Sequence, residues 1–133
     1  MELSLYADGG SRGNPGPAGA GACLLDETGQ ILGQAKAYLG EKTNNIAEYQ
    51  ALILGLKRAQ DFPVKKLKIF MDSQLVVKQI QGVYRVKQDH LIPLYQEALK
   101  LLDRFPSFEI YHIPREKNQI ADRLANQAMD EQI

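Results

Sequence analysis

The sequence holds one cysteine, Cys23, so no intramolecular disulfide can form, and a reducing compartment suits the chain. A small buried apolar side chain is its expected role. No apolar run approaches the roughly 20 residues that span a bilayer, which argues against a membrane-spanning helix. The first residues, Met1-Glu2-Leu3-Ser4, lack the basic start and cleavage pattern of a secretory signal, so a cytoplasmic location without membrane association is expected. The two histidines, His90 and His112, are isolated and leave no constellation for zinc. His112 is expected as a packed or hydrogen-bonded strand residue and His90 as a surface residue. Excess charge of one sign is also lacking. Sixteen basic and sixteen acidic residues cancel, so any nucleic-acid binding must rely on local patches. Candidate patches are Lys65, Lys66 and Lys68, then Lys78, Arg85 and Lys87, then Arg115, Lys117 and Arg123, each equally readable as solvated surface charge. Repeats, linkers and low-complexity segments are missing. With 133 residues, 44% of them hydrophobic, the chain suits a single domain over 1–133, expected as a monomer.

What is present is a clear order of elements. From Leu3 to Leu39 three apolar runs are separated by turn chemistry, first Asp8 to Gly16 and then Asp26-Glu27-Thr28-Gly29, which reads as an antiparallel meander. Between Asn44 and Ala59, Ile46, Tyr49, Leu52, Ile53 and Leu56 fall at helical spacing, with apolar residues around most of the circumference, so a largely buried helix is expected. Leu67 to Met71 follows as a strand, Ser73 to Gln81 and Leu91 to Leu102 as helices, and Phe108 to Ile113 as a last strand. Asn118 is the expected cap of a final helix to about Met129. Meander strands followed by strands alternating with helices predict an α/β fold with a mixed five-stranded sheet, antiparallel first and then parallel, flanked by helices. A right-handed crossover through the Asn44 to Ala59 helix makes the first strand central and sets the Leu67 to Met71 strand parallel beside it. Asp8 and Asp72 then stand just past the ends of adjacent parallel strands, about 5 Å apart, at the switch point where open α/β sheets form clefts.

Asp8, Glu48, Asp72 and Asp122 each lie at a strand end or helix start within a mostly apolar segment. Each has an ordinary reading. Asp8 suits a turn before glycines, Glu48 a capping box with Asn45, Asp72 the cap of the next helix, and Asp122 the acidic first turn of a helix. Taken jointly the case changes, because four acids at one sheet edge would repel one another and need cations to stay ionised. Oxygen-only donors favour Mg²⁺, with Mn²⁺ as the second choice. On a helix, Asn44 and Asn45 share a face with Glu48 and form a ridge that can touch a nucleic-acid backbone.

In their sequence contexts, Asp8-Gly9-Gly10-Ser11, Thr43-Asn44-Asn45-Ile46-Ala47-Glu48, Met71-Asp72-Ser73-Gln74 and Asn118-Gln119-Ile120-Ala121-Asp122-Arg123 resemble the motif set of type 1 ribonuclease H, over about Leu3 to Met129. The resemblance implies a ribonuclease H-like fold and an endonuclease that cuts the RNA strand of RNA:DNA hybrids. It implies two metal ions on Asp8, Glu48, Asp72 and Asp122 when substrate is bound, and products with 5′-phosphate and 3′-hydroxyl ends. It further implies 2′-hydroxyl contacts from Gly9, Gly10, Ser11, Asn14, Asn44 and Asn45, a DNA-phosphate contact from Thr43, and cleft positions for Ser73 and Gln74. Many relatives carry a longer histidine-bearing loop before the last aspartate. Here Ile113 to Asn118 is short and has none, and Arg115 stands as an electrostatic substitute. The basic protrusion of many relatives is replaced by Tyr84 to Asp89, and Glu41 occupies a phosphate-side position. The form is closest to the compact bacterial and archaeal branch. Two competing readings stay open: a non-catalytic binder of hybrids or structured RNA, and a nuclease acting on DNA junctions or double-stranded RNA.

Overall fold

Leu3, Leu5, Ala7 and Gly9 are buried and alternate with half-exposed Ser4, Tyr6, Asp8 and Gly10, so the first strand turns one face to the core. In the computed structural model, which describes residues 1–132, that strand is β1 (Glu2–Ser11). It is followed by β2 (Gly16–Leu25), β3 (Ile31–Lys42), α1 (Asn44–Ala59), β4 (Lys66–Met71), α2 (Gln74–Ile80), α3 (Ile92–Leu102), β5 (Ser107–His112) and α4 (Gln119–Glu131). The sheet order is β3-β2-β1-β4-β5, antiparallel among the first three strands and parallel from β1 through β4 to β5. The mixed sheet and the crossover expected from the sequence are both present.

The glycine-rich stretch departs from expectation. Instead of turning after Ala7, β1 continues, and Asp8, Gly9, Gly10 and Ser11 pair with Gly21, Ala20, Gly19 and Ala18 of β2. Close helix packing explains why these small residues stay in a strand. A β-carbon at Gly9 would lie 2.0 Å from the Ala47 carbonyl oxygen of α1, and one at Gly21 would lie 2.4 Å from the Ala121 carbonyl oxygen of α4. The helices therefore approach opposite faces of the sheet at backbone contact, a distance only glycine permits.

Helix α1 lies against β1 and β2 on one face and against α3 on its outer side, so residues around most of it are buried, as its sequence predicted. Tyr49, Leu52 and Leu56 are fully buried with Leu3, Leu5, Leu67 and Ile69, each large side chain stabilising the fold by about 1.5–3 kcal/mol. The Tyr49 hydroxyl donates to Gln79 Oε1 at 2.5 Å, which satisfies this buried polar group. Helix α4 covers β2, β1 and β3 on the other face. It leaves the β4 and β5 side of that face largely uncovered, and there Tyr6, Phe70 and Tyr111 stack across β1, β4 and β5 with centroids 4.8 and 5.5 Å apart. Cys23 is buried as expected. His112, expected to be packed or hydrogen-bonded, is exposed at the end of the edge strand β5. No helix among the described residues is long and apolar enough to cross a membrane.

Candidate active site

The parallel ladder between β1 and β4 ends at Ala7 and Met71, so Asp8 and Asp72 are the next residues on two neighbouring strands, about 5 Å apart by strand spacing. Asp8 lies within β1, because that strand runs on alone with β2. Glu48 arrives from the first turns of α1 and Asp122 from the first turn of α4. All four line one cavity of about 410 Å³, together with Gly9, Gly10, Ser11, Asn44 and Arg115. A second cavity, of about 370 Å³ beside Tyr6 and Cys23, contains none of the four acids.

Two of the ordinary roles weighed for these acids are taken by neighbours. Thr43 caps α1, its Oγ1 accepting from Ile46 N at 3.3 Å, so Glu48 is not half of a capping box with Asn45. Glu48 instead accepts from Asn44 Nδ2 at 3.0 Å and from Ser73 Oγ at 2.6 Å. Ser73 rather than Asp72 caps α2, accepting from Val76 N at 3.2 Å while its own proton goes to Glu48. Asn118 precedes α4 but makes no side-chain cap. It is buried, and its Nδ2 donates to Ala7 O and to Asp72 Oδ1, both at 2.9 Å. One amide thus ties the start of α4 to β1 and orients Asp72. Arg115 Nη2 stands 3.5 Å from Asp122 Oδ1.

Five residues expected at the site lie off the cavity wall. Thr43 is occupied as the α1 cap, Ser73 is buried behind Glu48, and Gln74 is exposed on the first turn of α2. Asn14 sits in the β1–β2 turn, where its Oδ1 accepts from Asn44 N at 3.0 Å and so fixes the rim from outside. Asn45 follows Asn44 on α1, half-buried. Conversely, Arg12 and Asn126 line the cavity without having been singled out. Their link spans more than a hundred residues of sequence, and no local pattern marks it.

The electrostatics differ from those of an ordinary surface cluster. Burial, then the charge of Asp72, then the hydrogen bond and charge of Asp122 push the Asp8 carboxyl up to about 9. Burial raises Glu48 as well, against the lowering effect of its Ser73 hydrogen bond. Ionising this set therefore calls for positive charge from outside. The donors are all oxygen, which suits a hard divalent cation. No three histidine, cysteine, aspartate or glutamate side chains among the described residues are placed to hold one ion by themselves. The acids meet around Asp8, on which the charges of Asp72 and Asp122 both act. Pairs of carboxylates completed by water and substrate phosphate are the usual protein share of a Mg²⁺ site. Ser11 Oγ and Asn118 Oδ1, both buried beside this set, have no hydrogen-bond partner among the described residues.

A mixed sheet with acids at its switch point is a class with known members, and a family model described as reverse transcriptase-like matches residues 6–128. The chain is 44% identical over 131 residues to a bifunctional protein of Mycobacterium tuberculosis, covering 98% of itself and 36% of that relative. It thus spans about a third of the length of that relative. A protein named ribonuclease H from Hydrogenovibrio crunogenus is 36% identical over 145 residues, with 98% of this chain and 97% of the relative covered. Among solved structures, LC11-RNase H1 in complex with an RNA/DNA hybrid aligns with a TM-score of 0.93 and 44% identity, over 98% of each chain. The chain belongs to the ribonuclease H family.

Proposed function

We propose that the chain is a metal-dependent endoribonuclease that cleaves the RNA strand of RNA:DNA hybrids. The observation that carries this reading is the single cavity lined by four acids from β1, α1, the end of β4 and α4. Asp8, Glu48, Asp72 and Asp122 would hold two divalent ions, Mg²⁺ first and Mn²⁺ as an alternative, with the substrate phosphate completing the ligands. The chemistry that ions supply at such a site is activation of the attacking water and stabilisation of the departing 3′ oxygen, which leaves 5′-phosphate and 3′-hydroxyl ends.

The protein's own residues do the positioning. Ser73 and Asn44 keep the Glu48 carboxylate aimed at the cavity, and Asn118 does the same for Asp72. Ser11 Oγ is a buried hydroxyl without a partner, and an unpaired group of that kind is costly unless a ligand satisfies it. With Asn44 beside it, it offers polar contacts to a ribose 2′-hydroxyl, the group that separates RNA from DNA. The solved complex of LC11-RNase H1 with an RNA/DNA hybrid supports the same substrate class.

The test is cleavage of an end-labelled hybrid with Mg²⁺ or Mn²⁺, alongside DNA-only and RNA-only duplexes, repeated with Asp72→Asn. Metal-dependent cutting of the RNA strand, lost in the variant, is expected. Absence of cutting under every metal sinks the reading, and tight metal-independent hybrid binding in that case replaces it with a non-catalytic binder. Equal cleavage of double-stranded RNA would widen the substrate class.

A further inference from the structure

Arg12 stands in the turn between β1 and β2, on the wall of the cavity that holds the acids. Its backbone is firmly held. Its N–H donates to Pro17 O at 2.8 Å, and Gly16 packs so closely that a β-carbon there would lie 2.1 Å from the Arg12 carbonyl oxygen. Its guanidinium, by contrast, reaches out to the end of α4. Nη1 pairs with Asp130 Oδ1 at 2.6 Å, and Nη2 makes two long contacts with Asn126, 3.4 Å to O and 3.3 Å to Oδ1. The Arg12 and Asp130 side chains are 48% and 64% exposed, so water competes for both and the pair is weak.

We propose that Arg12 is a phosphate-binding residue at the active-site rim. In the free protein it rests on Asp130, and when a hybrid binds it exchanges that carboxylate for a backbone phosphate. The inference rests on the nuclease reading above and adds to it a residue and a competitor. Three features carry it. First, a phosphodiester entering an acid-lined cavity is repelled, and rim cations are needed to offset this in a chain with no net positive charge. Second, among the described residues two arginines line the cavity, on separate connections: Arg115 before α4, at 3.5 Å from Asp122, and Arg12. Third, a guanidinium offers the same N–H donors to carboxylate and phosphate oxygens, so Asp130, held through Nη1 alone, occupies a donor that a phosphate oxygen would take. The fixed backbone and exposed tip let the exchange proceed by side-chain rotation alone.

The test is hybrid binding by fluorescence anisotropy with Ca²⁺ in place of Mg²⁺, the RNA strand checked intact on a gel, across a series of salt concentrations. For Arg12→Ala we expect about tenfold weaker binding at low salt, and a slope of log affinity against log salt reduced by about one, whatever the base sequence. Asp130→Asn is expected to tighten binding roughly two- to threefold, and to lose that gain when combined with Arg12→Ala. Circular dichroism and melting curves confirm that each variant folds. Wild-type protein that binds no hybrid overturns the nuclease reading and this inference together. Wild-type binding with an unchanged slope in Arg12→Ala overturns the phosphate contact alone. An Asp130→Asn gain that persists without Arg12 overturns the exchange, because it then reflects loss of one negative charge anywhere near the strand.

Discussion

Strands β1 and β4 carry charged groups at both ends, and the two ends treat them in opposite ways. Where the strands begin, Glu2 meets Lys68 at 3.0 Å, and Lys66 meets Glu109 of β5 at 2.7 Å, on the outer face that α4 leaves uncovered. There the Lys66 hydrogen bond, followed by that of Tyr111, holds the Glu109 carboxyl below its usual range. Where the parallel ladder ends, Asp8, Asp72, Glu48 and Asp122 face one another, with uncharged donors on Glu48 and Asp72 and Arg115 only at the edge of Asp122. Burial and mutual repulsion raise Asp8 and Glu48 instead of lowering them. Two patches on the same strands thus have opposite pKa directions, because one supplies its own cations in water and the other leaves them to be brought in. Acidic residues neutralised in place serve solubility and local order, whereas acids buried without neutralisation mark a site built for a ligand.

The largest expected contrast is in turnover. Asp8→Asn or Asp72→Asn should lower metal-dependent hybrid cleavage by about 10²–10³-fold or more, the scale of the several kcal/mol that metal-assisted charge stabilisation contributes. Rates under single-turnover conditions measure this, with circular dichroism as the check on folding. Full activity in either variant would make the buried end as inert as the exposed one and erase the distinction. Ser73→Ala should come next, because Ser73 both caps α2 and holds Glu48. We expect the metal concentration for half-maximal activity to rise about tenfold, the usual result of removing a group that orients a metal ligand. Stability should fall by about 1 kcal/mol from the lost cap. Ser73→Thr, which keeps the hydroxyl, should restore both. A loss of stability with no change in metal dependence would reduce Ser73 to a cap.

A smaller effect should appear in the pH dependence of stability without metal. Asp8 has its folded-state value raised to about 9 from an unfolded value of 3.8, so above pH 3.8 the folded chain binds more protons than the unfolded one. Its contribution is fully present below 3.8 and is lost as pH rises toward about 9, and Glu48 shifts in the same direction. The melting temperature of chelator-treated protein should therefore drop between pH 5 and pH 9, by roughly 3–6 °C for a domain of this size. Mg²⁺ should raise it more at pH 8 than at pH 5, and Asp8→Asn should flatten the profile. A flat profile in the unaltered protein, or a Mg²⁺ effect equal at both pH values, would mean that the cluster carries no such strain.

Much of this contrast was legible in the sequence, for local reasons. Helix α1 begins at Asn44 and ends at Ala59 as its spacing predicted, because its cap, its apolar circumference and its neighbouring turns agree. The acids could be read as a set because each sits where a regular element starts or stops. Errors arose where small residues answer to distant partners. Gly9 and Gly10 read as a turn, yet they remain in β1 paired with Ala20 and Gly19, and α1 packs against Gly9 too closely for any side chain. Asn118 read as a helix cap, but Ala7 and Asp72, 111 and 46 residues away, draw its amide elsewhere. The same separation hid Arg12. Nor could Lys66 and Lys68, candidates for a basic patch, be seen to face Glu109 and Glu2, since strand register decides those pairs.

The smallest effect belongs to the balanced end, and it completes the comparison. Glu109→Gln removes an exposed carboxylate from Lys66 and from the Tyr111 hydroxyl, far from the acids that line the cavity. Exposed pairs of this kind contribute little, so the melting temperature at neutral pH should stay within about 1 °C of the unaltered protein. Hybrid cleavage and its metal dependence should not change. The residual signal should lie on the acid side, because the Glu109 carboxyl is lowered and its contribution disappears as pH falls, the reverse of the trend set by Asp8. A double titration of stability, Glu109→Gln against Asp8→Asn, should therefore show the first altering only the acid limb and the second only the neutral-to-basic limb. If Glu109→Gln instead changed the metal dependence of cleavage, the two ends would be coupled through β4, and charge balance at one would be part of the chemistry at the other.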